Sequence, residues 1–129
     1  MTGNGDTSML RMVLGKFLAL QGVSAAFVLR EDGRIVDLVS TESINAQDLG
    51  LRLSETVAAA DAIAAELGDR AFTMSFCEFG DSFLLATPLT GNAPLNKKTY
   101  IAVIAERDAN IGRVRYELKK NKDLIISVL

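Results

Sequence analysis

The 129-residue chain has no histidine and one cysteine, Cys77. Those two facts remove most of the familiar site chemistry. Histidine is the commonest general base at neutral pH and the commonest zinc ligand. A thiol becomes a nucleophile only when a base or a cation stabilises its thiolate. Cys77 sits in an apolar, strand-like stretch and reads as a structural thiol. Carboxylates group at Glu31-Asp32 and at Glu78 with Asp81. Both groups flank glycine-containing turns, so they read as solvated hairpin tips. The glycines build no phosphate cradle: neither Gly-x-x-x-x-Gly-Lys-Ser/Thr nor Gly-x-Gly-x-x-Gly occurs. No catalytic, cofactor-binding or metal-binding residue is expected, and the chain is expected to act by binding, not as an enzyme.

The bulk composition narrows the setting. Apolar residues make up 49% and charged residues 23% of the chain, the mix of a globular domain. One domain is expected from the length. The net charge of −2 argues against a nucleic-acid partner, which calls for a basic field. The lone cysteine cannot form an internal disulfide, which fits a reducing, cytoplasmic location. The N-terminus lacks a basic start and an apolar run, so no signal peptide is expected. The apolar runs 25–29 and 83–86 are far too short to span a bilayer, so no membrane insertion is expected.

Periodicity supplies the elements that would position any surface. Residues 1–7 are small and polar and read as a flexible tail, with the domain over 8–129. Thr7 or Ser8 can cap a helix over 8–21, whose Leu10, Val13, Leu14, Phe17 and Leu20 share a face. Strands are expected over 23–30 and 34–40, joined by a turn at Asp32-Gly33. A helix follows over 45–67 and ends at Gly68. Further strands are expected over 71–79, 82–89 and 99–106, with Phe72, Met74 and Phe76 on one face of the first. Asp108 is expected to cap a last helix over 109–127. The order is αββαβββα, an α/β (α+β) fold with a five-stranded antiparallel sheet. The segments 25–29 and 101–105 are apolar on both faces, so helices should cover both sides of the sheet.

The middle helix carries two apolar stripes. Ala46, Leu49, Leu53, Val57, Ala60, Ala64 and Leu67 step by three and four and can pack on the sheet. Leu51, Ala58, Ala62 and Ala65 form the second stripe. Small residues let helix backbones approach closely, so this stripe could meet a second copy of the chain. Alanine also simply stabilises a helix, and the pattern alone leaves both readings open. Arg52 and Glu55 lie on the solvated face and are the candidate contacts for another partner. The last helix is basic through Arg113, Arg115, Lys119, Lys120 and Lys122. Cations near a helix C-terminus are favoured by the helix dipole, the first reading of this face, and an acidic partner is the second.

Four segments, in order, give the chain a resemblance. They are Gly22–Val28 with Glu31-Asp32-Gly33, the alanine-rich helix, Phe79–Leu85, and Asp108–Arg115. Together they resemble the roadblock / dynein light chain family over about residues 8–127. The resemblance implies the middle helix on one face of the sheet and both terminal helices on the other. It implies a homodimer in which middle helices pair and third strands join. Thr73, Ser75 and Cys77 would then contribute to self-association alongside the second stripe, mainly through backbone pairing. Gly112 would let the last helix approach the sheet. The resemblance also implies a scaffold or signalling role toward a small Ras-like GTPase, with no catalytic residues of its own. The alternative is a sensory module holding a small ligand between helix and sheet.

Overall fold

Alternation inside the central strands decides the architecture. In β1 (Val23–Arg30), Phe27 and Leu29 point to one side of the sheet while Ala26 and Val28 point to the other. In β5 (Thr99–Glu106), Tyr100 and Ala102 oppose Ile101 and Val103 in the same way. Both faces are apolar, so both must be covered. The computed structural model describes residues 2–68, 71–89 and 98–129, with side chains from Met9 onward. It shows three helices and one antiparallel sheet in the order β2-β1-β5-β4-β3, where β2 is Ile35–Ser40, β3 is Ser75–Glu78 and β4 is Ser82–Pro88. The polar loop that the sequence suggests over 90–98 lies, apart from Lys98, outside the described residues, as do the side chains of Thr7 and Ser8.

Two cores result. On one face α1 (Thr2–Leu18) and α3 (Ile111–Ser127) bury Leu14, Phe17, Leu118 and Ile125 against Val28, Leu85 and Val103. On the other, α2 (Ala46–Glu66) sets Leu53 and Val57 over Phe27, Leu29 and Tyr100. Complete burial of one such side chain contributes about 1.5–3 kcal/mol. One carboxylate, Asp37 on β2, is buried toward α1. Both of its oxygens accept from the Arg11 guanidinium, and Leu38 N donates at 2.9 Å. A buried charge without such partners would be strongly destabilising.

Five expectations are corrected. The α1 helix begins at Thr2, so the segment set aside as a tail is helical from there. Adding residues to an existing helix gains one hydrogen bond for each residue fixed, and Gly3 and Gly5 did not stop it. The α3 cap is Asn110, whose side chain accepts from Arg113 N at 3.1 Å. Asp108 lies earlier, in the turn where Ala109 N donates to Glu106 O. The close approach assigned to Gly112 occurs at Gly22, where a Cβ would sit 2.8 Å from that of Ala109. The β3 strand is four residues long and does not start at 71. Outside the ladder the two-residue period lapses, so Phe72 packs toward the α2 core while Met74 packs toward α1 and α3.

The fifth correction concerns α2. Its fully buried residues are Gly50, Leu53 and Val57. Ala60 and Ala64 are half-buried, and Leu67 is 59% exposed. The expected inward stripe is thus sunk at its N-terminal half and lifted at its C-terminal half. The helix ends are as the sequence predicts: Asn45 accepts from Asp48 N, and Gly68 takes a positive φ of 91°.

Candidate protein interface

Strand pairing arranges the α2 side of the sheet in rows. Pro88, Tyr100, Leu29 and Ile35 form the row nearest the β1–β2 hairpin. Ser75, Ala86, Ala102, Phe27 and Leu38 form the next. Cys77, Leu84, Ile104, Ala25 and Ser40 form the row at the far end. One helix cannot cover all three, because an α-helix with its side chains is about 10–12 Å across.

Two fastenings fix where α2 lies. Near its start Gly50 meets the hairpin: a Cβ there would press on the Gly33 carbonyl and sit 3.0 Å from Ile35 Cδ1. Gly33 itself has φ +92°, as the tight turn requires. Further along, the Asp61 carboxylate accepts from Tyr100 OH and from Lys98 Nζ, each at 3.2 Å. Burial, the Asp61 charge, the hydrogen bond and the Glu31 charge together push the Tyr100 phenol up to about 12. Both fastenings pull the same flank of α2 toward the hairpin end.

The flanks can now be assigned residue by residue. Ala58 and Ala65 stand three and four residues from Asp61, so they share its flank. Ile63 stands two residues from Asp61, more than half a turn around, and Leu67 is four residues beyond it. These two therefore point toward the far row. They are 60% and 59% exposed. Below them Cys77 and Ile104 are half-buried members of the α2-side core. This placement makes Ile63, Leu67, Cys77 and Ile104 a candidate apolar trough, although Ile104 also lines a polar cleft with Glu42, Asp81, Glu106 and Arg107.

The residues singled out in the sequence divide accordingly. Ser75 and Cys77 lie on the α2 side of edge strand β3 and belong with the trough. Thr73 is exposed, and its carbonyl accepts from Thr87 Oγ1 at 2.7 Å. Ala58, Ala62 and Ala65 are exposed, with Ala58 and Ala65 on the flank away from the trough. Leu51 lies beside the hairpin and lines a shallow cleft of about 430 Å³ with Gly33 and Ile35. Arg52 and Glu55 are exposed and pair with each other at 3.2 Å. Ile63 and Leu67 are the residues that sequence reasoning missed for this surface. Leu67 was counted as core, and Ile63 belongs to neither stripe. The signal available was their four-residue spacing on the flank opposite Asp61.

No protein-family model and no curated protein matches the sequence. Solved structures do match. A structure described as MglB with tetrameric arrangement has a TM-score of 0.84 at 15% identity, covering 95% of this chain and 89% of that one. The gliding protein MglB from Thermus thermophilus has a TM-score of 0.82 at 15% identity, covering 95% and 90%. A Roadblock/LC7 domain from Streptomyces avermitilis has a TM-score of 0.77 at 16% identity, covering 90% and 93%. The chain thus has the fold of MglB and Roadblock/LC7 domains over nearly its full length. No helix among the described residues is long and apolar enough to cross a membrane.

Proposed function

We propose that this chain is a non-catalytic regulator or scaffold that works as a homodimer and binds a small Ras-like GTPase. The exposure of Ile63 and Leu67 on one flank of α2 is the observation that carries this reading. A second α2, related by a two-fold axis, would cover that flank. Each copy would then present Ile63 and Leu67 to the other, as a self-complementary interface requires. The edge strand β3 adjoins the trough, and pairing it with its counterpart would remove an exposed sheet edge. Ser75 and Cys77 would be buried with it. On this reading the dimer surface on α2 is the Ile63 flank, with the stripe Leu51, Ala58, Ala62 and Ala65 as the alternative.

The family resemblance supports the GTPase partner; Glu55 stands on the outer side of α2, and Arg52, eleven residues before Ile63, borders the Ile63 flank. Light scattering on the purified chain tests the first half. The expected mass is twice the 13.9 kDa of one chain. A monomer at high micromolar concentration would overturn it. For the second half, a purified small Ras-like GTPase from the same organism is titrated in its GTP and GDP forms. Binding that differs about tenfold between the forms, some 1.4 kcal/mol, supports regulation. Absence of binding in both forms removes it.

A further inference from the structure

The cations of α3 are not evenly spread around the helix. Arg115, Lys119 and Lys122 follow at spacings of four and three and line one side of a cleft of about 350 Å³. Lys120 instead lies over the Tyr116 ring, 6.0 Å from its centroid. The cleft floor is apolar, formed by Phe72, Met74, Pro88 and Leu118. Its opposite wall carries Thr73 and Thr87. No carboxylate is among the described residues that line it. In a chain of net charge −2, Arg115 and Lys119 set two cations beside this apolar lining, and Lys122, which has an interaction of its own, stands at its end.

The cleft continues. A second depression of about 380 Å³ shares Thr73, Met74 and Arg115 and adds Phe76 and Ile111. The Phe76 side chain is exposed, with its ring 5.3 Å from that of Phe83. Together they make one groove along α3 from Ile111 to Lys122, roughly 16 Å at 1.5 Å per residue. That length fits about five residues of extended chain.

We propose that this groove binds an extended acidic peptide in which carboxylates alternate with apolar side chains. Successive side chains of an extended chain point to opposite sides, and alternate ones repeat at about 6.6–6.8 Å. Arg115 and Lys119 are spaced about 6 Å along the helix axis, close to that repeat. Carboxylates on one side of the peptide would meet the cations. The intervening side chains would meet Met74, Phe76 and Leu118. A small anion alone would leave this apolar floor unused. The groove runs round the sheet edge on the α3 side, and Thr73 and Phe76 stand on or beside β3, so the oligomeric state of each variant is read alongside its binding.

The test uses a dye-labelled six-residue peptide alternating Glu and Leu, followed by fluorescence anisotropy with the full chain. Saturable binding is expected, weakening as salt rises from about 50 to 300 mM. Arg115→Glu and Lys119→Glu should each weaken it at least tenfold. Lys120→Glu changes the net charge equally, one residue away, and should leave binding within twofold. Light scattering on each variant separates loss of the groove from loss of the dimer. Three results would overturn the proposal: no saturable binding at low salt, equal weakening by Lys119→Glu and Lys120→Glu, or displacement of the peptide by millimolar pyrophosphate alone.

Discussion

The two flanks of α2 differ in composition and in what holds them. The flank of Gly50, Ala58, Asp61 and Ala65 is fastened to its own subunit, by a backbone contact at Gly33 and by hydrogen bonds from Tyr100 and Lys98. The flank of Ile63 and Leu67 is greasier and has more exposed surface, over a half-buried floor. The difference teaches where to look for an interface: exposed apolar surface on the side that the subunit's own polar fastenings leave alone.

Substitutions can break that contrast. The largest effect is expected from Ile63→Glu, which a two-fold axis places in the interface twice. Burying unpaired like charges costs several kcal/mol, so the dimer Kd should rise at least about 100-fold. Sedimentation equilibrium should show Ala65→Glu shifting it less than about threefold. Next comes Gly50→Ala, which forces a methyl against the Gly33 carbonyl and should lower unfolding stability by about 1–3 kcal/mol in urea. Its dimer Kd, extrapolated to zero urea, should not move.

A smaller effect sharpens the fastened side through pH. The Tyr100 phenol ionises near 12 in the folded chain and near 10 when unfolded. Between those values the unfolded state loses a proton that the folded state keeps, so stability falls as pH rises through the window. Below about pH 10 the contribution is fully present. Tyr100→Phe should lose less stability than the wild type between pH 10 and 12, measured by thermal melts. The smallest effect belongs to an exposed ion pair. Arg52→Ala breaks an exposed ion pair with Glu55 and should change stability by no more than about 0.5 kcal/mol. A larger loss would mean that this side of α2 is covered as well.

Much of the fold was legible because strong local signals agreed. The β5 limits, the turn at Gly33 and the ends of α2 follow from a continuous apolar run, positive-φ glycine and a capping side chain. The caps of α3 were not, because Asp108 and Asn110 are both competent and only the turn at Glu106–Ala109 chooses between them. The length of β3 was obscured by Phe72 and Met74, which alternate in sequence but leave the ladder in space. The candidate interface was half legible. Ser75 and Cys77 could be placed on one face by parity, yet the flank of α2 could not. Helical periodicity says which residues travel together; it takes the Gly33–Gly50 and Asp61–Tyr100 contacts, far apart in sequence, to say which way each set faces.

Ala58 and Ala59 offer a direct readout, since they are exposed neighbours on opposite flanks. Cysteines placed singly at these positions, with Cys77→Ser, can be spin-labelled and the distance between the two copies measured by pulsed electron resonance. With the Ile63 flanks turned toward each other, the 59–59 distance should be shorter than the 58–58 distance by roughly 10–20 Å, about one to two helix diameters. A shorter 58–58 distance would mean that the fastened flank is the one that meets the second copy.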